Sequence, residues 1–186
     1  VPALLAAQQV QAPRPPHLFL RVGGAAITAN GVGDIRPALH VAGGVLLAGR
    51  VGLLAQFVHH TADFSPRQVG FRPARSFLLA GVEWSPHVAP VEQPGDLDAA
   101  LRLNGGVAFR EFLDPGTVLG LGLAARVALA PFLAAVLDIQ GLLTWAADDP
   151  FPRCPANGYD PDCHPLASSG PIRADGWAAL LLEVRW

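Results

Sequence analysis

The eleven residues at the carboxyl end, Gly176–Trp186 (GWAALLLEVRW), constrain the fold more than any other stretch of the chain. Ala178, Leu180, Leu182, Val184 and Trp186 fall in one apolar row at period two, and Trp177, Ala179, Leu181, Glu183 and Arg185 fall in the opposite row. A helix would spread Glu183 and Arg185 around its axis. A strand keeps both on one mixed face and leaves the other face oily.

Seven further segments alternate in the same way between turn signals. His17–Ala29 puts Leu18, Leu20, Val22, Gly24 and Ala26 opposite Arg21. Ala38–Leu47 groups Leu39, Val41, Val45 and Leu47 opposite His40, and Val51–Asp63 groups Val51, Leu53, Ala55 and Phe57 opposite Gln56 and His60. Arg75–Trp84 sets Leu78, Ala80, Val82 and Trp84 against Arg75 and Glu83, and Leu101–Phe112 sets Leu103, Val107 and Phe109 against Arg102, Asn104 and Arg110. Val118–Leu129 opposes Leu119, Leu121, Leu123, Val127 and Leu129 to Arg126. Leu133–Trp145 opposes Leu137, Ile139, Leu143 and Trp145 to Asp138, Gln140 and Thr144. The segments approach the ~9–11 residues a tilted strand needs to cross a bilayer.

Between them lie turn-rich connections whose lengths alternate: long at Asn30–Asp34, short at Ala48–Arg50, long at Phe64–Pro73 and longest at Ala146–Pro171. Two depart from the alternation, since Ser85–Gly95 is long where a short turn is expected and the strong turn signal Asp114-Pro115-Gly116 is short where a loop is expected.

Composition narrows the class. The 186 residues are 51% hydrophobic and only 15% charged, so the apolar residues must be dispersed over many short segments. Twenty glycines and eighteen prolines suit many turns better than a few long helices. The positive charges are all arginines, net charge is −2 and no basic cluster stands out, so nucleic acid is not an expected partner. Cys154 and Cys163 are close together in a Pro/Gly-rich stretch, and a short-range disulfide fits an exported protein. Two cysteines supply only two metal ligands, so no metal site is expected, and no cofactor either. The beginning of the chain, Val1–Gln9, fits either the tail of a secretory signal or an ordinary N-terminal arm.

One stretch competes as a membrane helix. Thr117–Leu137 is apolar except for Arg126. An arginine near the centre of such a helix costs ~2.5–3.5 kcal/mol on insertion scales, and Pro131 would interrupt the helical hydrogen bonds. Two strands are the expected outcome.

A strand that ends on an aromatic residue, here Leu180, Leu182, Val184 and Trp186, resembles the closing strand of bacterial outer-membrane β-barrels. Over Pro16–Trp186 the pattern, not the residue identities, resembles the small-barrel family of the outer membrane protein A transmembrane domain and its relatives. The resemblance implies an all-β, eight-stranded antiparallel up-and-down transmembrane β-barrel over residues 17–186, with residues 1–16 a periplasmic arm or signal-peptide remnant. It implies the outer membrane of a Gram-negative bacterium and contact with its lipid and lipopolysaccharide. The barrel-assembly machinery would read the Trp186 strand during biogenesis. Trp84, Trp145 and Trp186, near strand ends, would form an aromatic girdle at headgroup level, whereas Trp177 on the mixed row fits that role less well.

In such a barrel the mixed faces point inward. Arg21, Glu83, Arg102, Arg110, Arg126, Asp138, Glu183 and Arg185 would then share a lumen with His40, Gln56, His60, Asn104 and Gln140. Charges there must pair, because an isolated one in a low-dielectric interior is costly. The plainest expectation is a polar core that closes the barrel.

Three functions follow from the pattern. The first is a structural or interaction protein, porin-like in architecture, which contacts an envelope partner through Ala146–Pro171. The second is a lipid-modifying enzyme using His59 and His60 at the outer end of the third strand with Asp63 and Ser65, a His–Asp–Ser set suited to acyl transfer. Their spacing matches no lipid A deacylase or palmitoyltransferase motif, and a polar rim is the plainer role. His17 and His87 fit the opposite rim. The third is a soluble lipocalin-like barrel, which would require the Leu/Val/Ala faces to point inward. The first is the expected one, with no enzymatic activity.

Overall fold

The computed structural model describes residues 16–29, 35–47, 50–60, 63–64, 71–72, 75–86, 93–110, 113–145 and 172–186. Both cysteines, Ser65, His87 and the loop 146–171 lie outside them, as do residues 1–15. The strands are β1 (His17–Ala29), β2 (Ile35–Leu47), β3 (Val51–His60), β4 (Asp63–Phe64), β5 (Phe71–Arg72), β6 (Arg75–Trp84), β7 (Leu97–Arg110), β8 (Leu113–Ala130), β9 (Leu133–Trp145) and β10 (Ile172–Arg185). Eight of them close into an antiparallel barrel in the order β1-β10-β9-β8-β7-β6-β3-β2, while β4 and β5 pair as a two-residue ladder beyond the rim.

Closure follows from the terminal strand. Arg21 registers with Glu183 and Val22 with Leu182. Two backbone bonds between Leu18 and Trp186, of 3.1 and 3.2 Å, finish the seam. Closure removes the sheet edges, whose unpaired amides and carbonyls would otherwise face lipid or solvent.

The face assignment settles two of the sequence alternatives. Large apolar side chains cover the outside: Leu121 is 69% exposed, Leu180 68% and Leu103 60%. The lipocalin-like arrangement, with those faces inward, is therefore overturned. Thr117–Leu137 is not a helix but parts of β8 and β9 joined at Pro131 and Phe132, with Arg126 turned inward and buried.

Several boundaries move. β2 begins at Ile35 rather than Ala38 and includes Pro37. Proline lacks the amide for a ladder bond, and Pro37 lies where β2 has only β1 beside it, since pairing with β3 starts at Leu39. The expected turn at Asp114–Gly116 falls within β8, where the register shifts between Ala108 and Arg110 and Pro115 is exposed. A bulge of this kind accepts the missing amide. β3 stops at His60, and β7 and β10 start earlier than expected, at Leu97 and Ile172.

At the end of the barrel that holds both His17 and Trp186, the connection from β6 to β7 is secured locally. Gly95 sits at φ 95°, a left-handed conformation glycine adopts without strain. Gln93 and Asp96 bond across the turn, and Ala128 bonds both Gly95 and Asp96, extending the ladder past Leu97.

Candidate functional site

The strand alternation places a continuous stack of side chains in the lumen. Nearest the chain termini lies a charged cluster. Arg21 donates from Nη1 and Nη2 to the two carboxylate oxygens of Glu83 at 2.8 and 3.0 Å, and from Nε to Glu183 at 2.5 Å. Arg102 bonds Glu83 through Nη2 at 2.6 Å and Asp138 through Nη1 at 2.7 Å. Arg126 bonds Asp98 at 2.6 Å and contacts Glu83 and Glu183. Arg185 donates to Glu183 at 2.5 Å, and Ser85 donates to Asp98. Four guanidinium groups thus meet four carboxylates, and the cluster is neutral as a whole. All but the half-buried Arg185 are buried. Phe19 lies against the Arg21 guanidinium at 4.4 Å, which adds a cation–π contact.

Above it sits an uncharged polar layer. Gln56 donates to Asn104 at 2.9 Å, Asn104 to Gln140 at 2.8 Å, and Gln140 back to Gln56 at 2.8 Å. His40 Nε2 lies 3.2 Å from Gln56 Oε1, and its Nδ1 lies 3.7 Å from Asp138. Two inward glycines make room for this ring: a Cβ at Gly122 would come within 2.7 Å of Gln140 Cγ, and one at Gly81 would collide with Asn104 Oδ1.

An apolar layer then crosses the barrel. Ile27, Val58, Phe77, Leu79, Val118, Leu142 and Trp177 are each at most 3% exposed. The Trp177 ring packs between His40 and Phe77, with centroids at 5.7 and 5.8 Å. Beyond it, at the loop end, Arg75 bonds Asp175 at 3.0 Å and Thr144 bonds Asp175 at 3.2 Å. A cleft of about 650 Å³ lies on the outer wall and not in the lumen, with Gly43, Ala55 and Ala80 between Leu20, Leu53 and Trp186.

Of the eight charges assigned to the lumen from sequence, seven come together; of the eighth, Arg110, only the backbone is described, paired with Arg75. Asp98, Ser85 and Asp175 join the interior although the sequence reading did not place them there, and Arg75 joins it from the mixed face it shares with Glu83. Parity held the signal, since Asp98 shares a row with Arg102, and Asp175 with Trp177 and Ala179. Phe19, Phe77 and Leu79 were hidden because apolar residues inside a membrane barrel break the in/out contrast. Trp84 and Trp186 are exposed outside at the terminus-bearing end, and Trp145 is half-buried at the loop end. Leu180, Leu182 and Val184 point outward. Trp177 points inward, away from any girdle.

The histidine pair proposed for catalysis is split. His60 is buried in the lumen, whereas His59 is on the outside, stacked near Phe57 and 2.9 Å from Ser76 Oγ. His59 and His60 therefore do not share a site, and the side chain of Asp63 lies outside the described part. His17 is exposed at the terminus-bearing rim. Among the described residues no group of His, Cys, Asp and Glu has metal-binding geometry.

No protein-family model and no curated protein matches the sequence. Solved structures do match. Neisserial surface protein A aligns over 92% of this chain and 97% of its own at 8% identity, with a TM-score of 0.58. The N-terminal β-barrel domain of Pseudomonas aeruginosa OprF aligns over 91% and 97% at 10% identity and a TM-score of 0.45. Ail, the attachment invasion locus protein of Yersinia pestis, aligns over 92% and 97% at 11% identity and a TM-score of 0.45. With Neisserial surface protein A this chain shares a fold: the small, closed barrel of eight antiparallel strands.

Proposed function

We propose that the chain is a structural and interaction protein of the Gram-negative outer membrane, a transmembrane barrel with a sealed lumen that presents its loop end to the outside. The observation that carries this reading is the inverted arrangement of faces, with leucines and valines outward and a neutral ion-paired cluster inward. In water the exposed leucines would form an apolar surface far beyond what a monomer tolerates; in a bilayer they meet acyl chains. Full burial of the Phe77 and Trp177 layer supports a closed barrel over a conducting one.

On this reading, Leu180, Leu182, Val184 and Trp186 form the assembly signal, Trp84, Trp145 and Trp186 anchor at the headgroups, and a Cys154–Cys163 disulfide staples the loop Ala146–Pro171 for contact with an envelope partner. The test is a gel comparison of boiled and unboiled protein from washed outer membranes, followed by planar-bilayer recording. A heat-shifted band without conductance is expected. A soluble protein with no shift sinks the reading.

A second reading has one observation in its favour. His59 and Ser76 hold a nucleophile–base distance on the outward face near the loop end, where an acyl ester of the outer leaflet would reach them. Labelling of Ser76 by a fluorophosphonate, lost in Ser76→Ala, would support ester hydrolysis; an unlabelled folded barrel removes it.

A further inference from the structure

We infer that the outer wall at the terminus-bearing end holds a single glycerophospholipid, with one acyl chain seated in the cleft of about 650 Å³ and the phosphate on Arg50. The inference rests on the membrane reading proposed above.

Register builds the cleft. Gly43 on β2 pairs with Ala55 on β3, and Ala55 with Ala80 on β6, so three outward positions in one row carry little or no side chain. Leu20 closes the row on the β1 side, and Val45 and Leu53 border it toward the rim. The neighbouring Gly44 is dictated by the barrel itself, since a Cβ there would collide with Leu53 O. Gly43 is not. A Cβ at Gly43 would meet only Phe19 O at 3.6 Å and Leu20 Cδ1 at 3.9 Å, both ordinary contacts. Glycine weakens a strand interior, and where neighbours do not require it, it marks a wall approached closely from outside.

Arg50 supplies the complementary charge. It stands at the tip of the β2–β3 hairpin, whose strands line the cleft, and it is exposed. Among the described residues its side chain has no ion pair or hydrogen bond. Its backbone is held on both sides, donating to Leu47 O at 3.3 Å and accepting from the Ser85 amide at 2.9 Å. Trp84, registered with Val51, and Trp186 are outward on the same rim, where aromatic side chains lie at headgroup level. The lengths agree. Ala55 is five residues from Arg50, or ~17 Å along β3 at ~3.4 Å per residue. In a strand tilted ~40° that is ~13 Å of depth, against ~15 Å for one leaflet of the hydrocarbon core. A chain hanging from a phosphate at Arg50 therefore reaches the cleft floor, and a guanidinium holds phosphate through paired N–H bonds.

The experiment is native mass spectrometry of the refolded, heat-shifted full chain, released from a nonionic detergent that carries dipalmitoylphosphatidylglycerol. One retained lipid per barrel is expected. Retention should fall about tenfold in Gly43→Leu/Ala80→Leu, whose new side chains fill the cleft, and about as much in Arg50→Gln. It should be unchanged in Gly141→Leu, an outward position on β9 where a Cβ meets nothing within 4 Å. Dipalmitoylglycerol, with the same chains and no phosphate, should be held about tenfold less. If the cleft variant loses its heat-shifted band, Arg50→Gln carries the test. Wild-type retention by either folded variant overturns the inference, and so does an equal loss in Gly141→Leu. A dimer in place of a retained lipid, lost when the cleft is filled, gives the cleft to a second copy and overturns it too. A heat-shifted barrel that retains no single lipid overturns this inference alone, whereas a wild type without a heat shift overturns the membrane reading and this inference with it.

Discussion

Arg21 and Glu83, 62 residues apart in the chain, face each other through two parallel hydrogen bonds of 2.8 and 3.0 Å. They stand on β1 and β6, three strands apart around the wall, so the pair ties one side of the barrel to the other through its centre. Glu83 also accepts from Arg102 and contacts Arg126, which makes one carboxylate the meeting point of three guanidinium groups.

Glu83→Gln should therefore be the most damaging neutralisation in the lumen. Breaking a buried pair by removing one partner costs ~3–5 kcal/mol. Asp138→Asn should cost less, since Arg102 keeps Glu83 and the amide still meets Gln140. Urea unfolding from lipid vesicles measures both; equal midpoints for the two variants and wild type would show that the network contributes nothing.

The barrier to ion flow is assigned to the apolar layer, not to the charges. Phe77→Ala with Trp177→Ala should open a wetted path and yield discrete conductance in planar bilayers, at a cost of ~3–5 kcal/mol per truncation. Asp138→Asn should stay closed. A conducting Asp138 variant beside a silent double variant would reverse the assignment.

The outward face offers a direct discriminator between lipid and water. Leu121, mid-strand on β8 and 69% exposed, should tolerate arginine poorly: ~2–4 kcal/mol if it sits near the bilayer midplane. Folding yield into vesicles measures the loss. A variant as stable as wild type there would place β8 outside the hydrocarbon.

If Trp186 belongs to the assembly signal proposed above, biogenesis and stability should separate at this residue. Trp186 is 62% exposed, so Trp186→Ala should leave the heat-shifted band of refolded protein nearly unchanged while lowering the amount recovered in washed outer membranes. Parallel loss in both assays would make the residue a packing element rather than a recognition signal.

Much of this architecture was legible because a barrel wall is a period-two object. Arg126 illustrates it: one charge in an oily run is costly for a helix and natural for an inward strand position, and it lies buried on β8 beside Asp98. The limits came from places where alternation carries no contrast. Asp114-Pro115-Gly116 has the chemistry of a turn, yet it falls in a bulged strand start where missing ladder bonds cost little. His59 and His60 looked like a pair because they are adjacent, and adjacency in a strand means opposite faces. Phe77 and Leu79 look the same to a periodicity argument whether they face the lumen or the lipid. Only the cross-strand register decides what meets in the centre, and register is set by closure between β1 and β10.

The neutral cluster also bears on how such a chain enters a membrane. Its eight charged groups come from β1, β6, β7, β8, β9 and β10, and the pairs Arg21–Glu83, Arg21–Glu183, Arg102–Asp138 and Arg126–Glu83 each join strands that no single hairpin contains. A hairpin taken alone would leave those partners apart, with its outer amides unpaired as well. The pairing geometry is a property of the closed ring. Pairing of β1 with β10 brings Glu183 onto Arg21, so one seam completes both the wall and the ion-pair network.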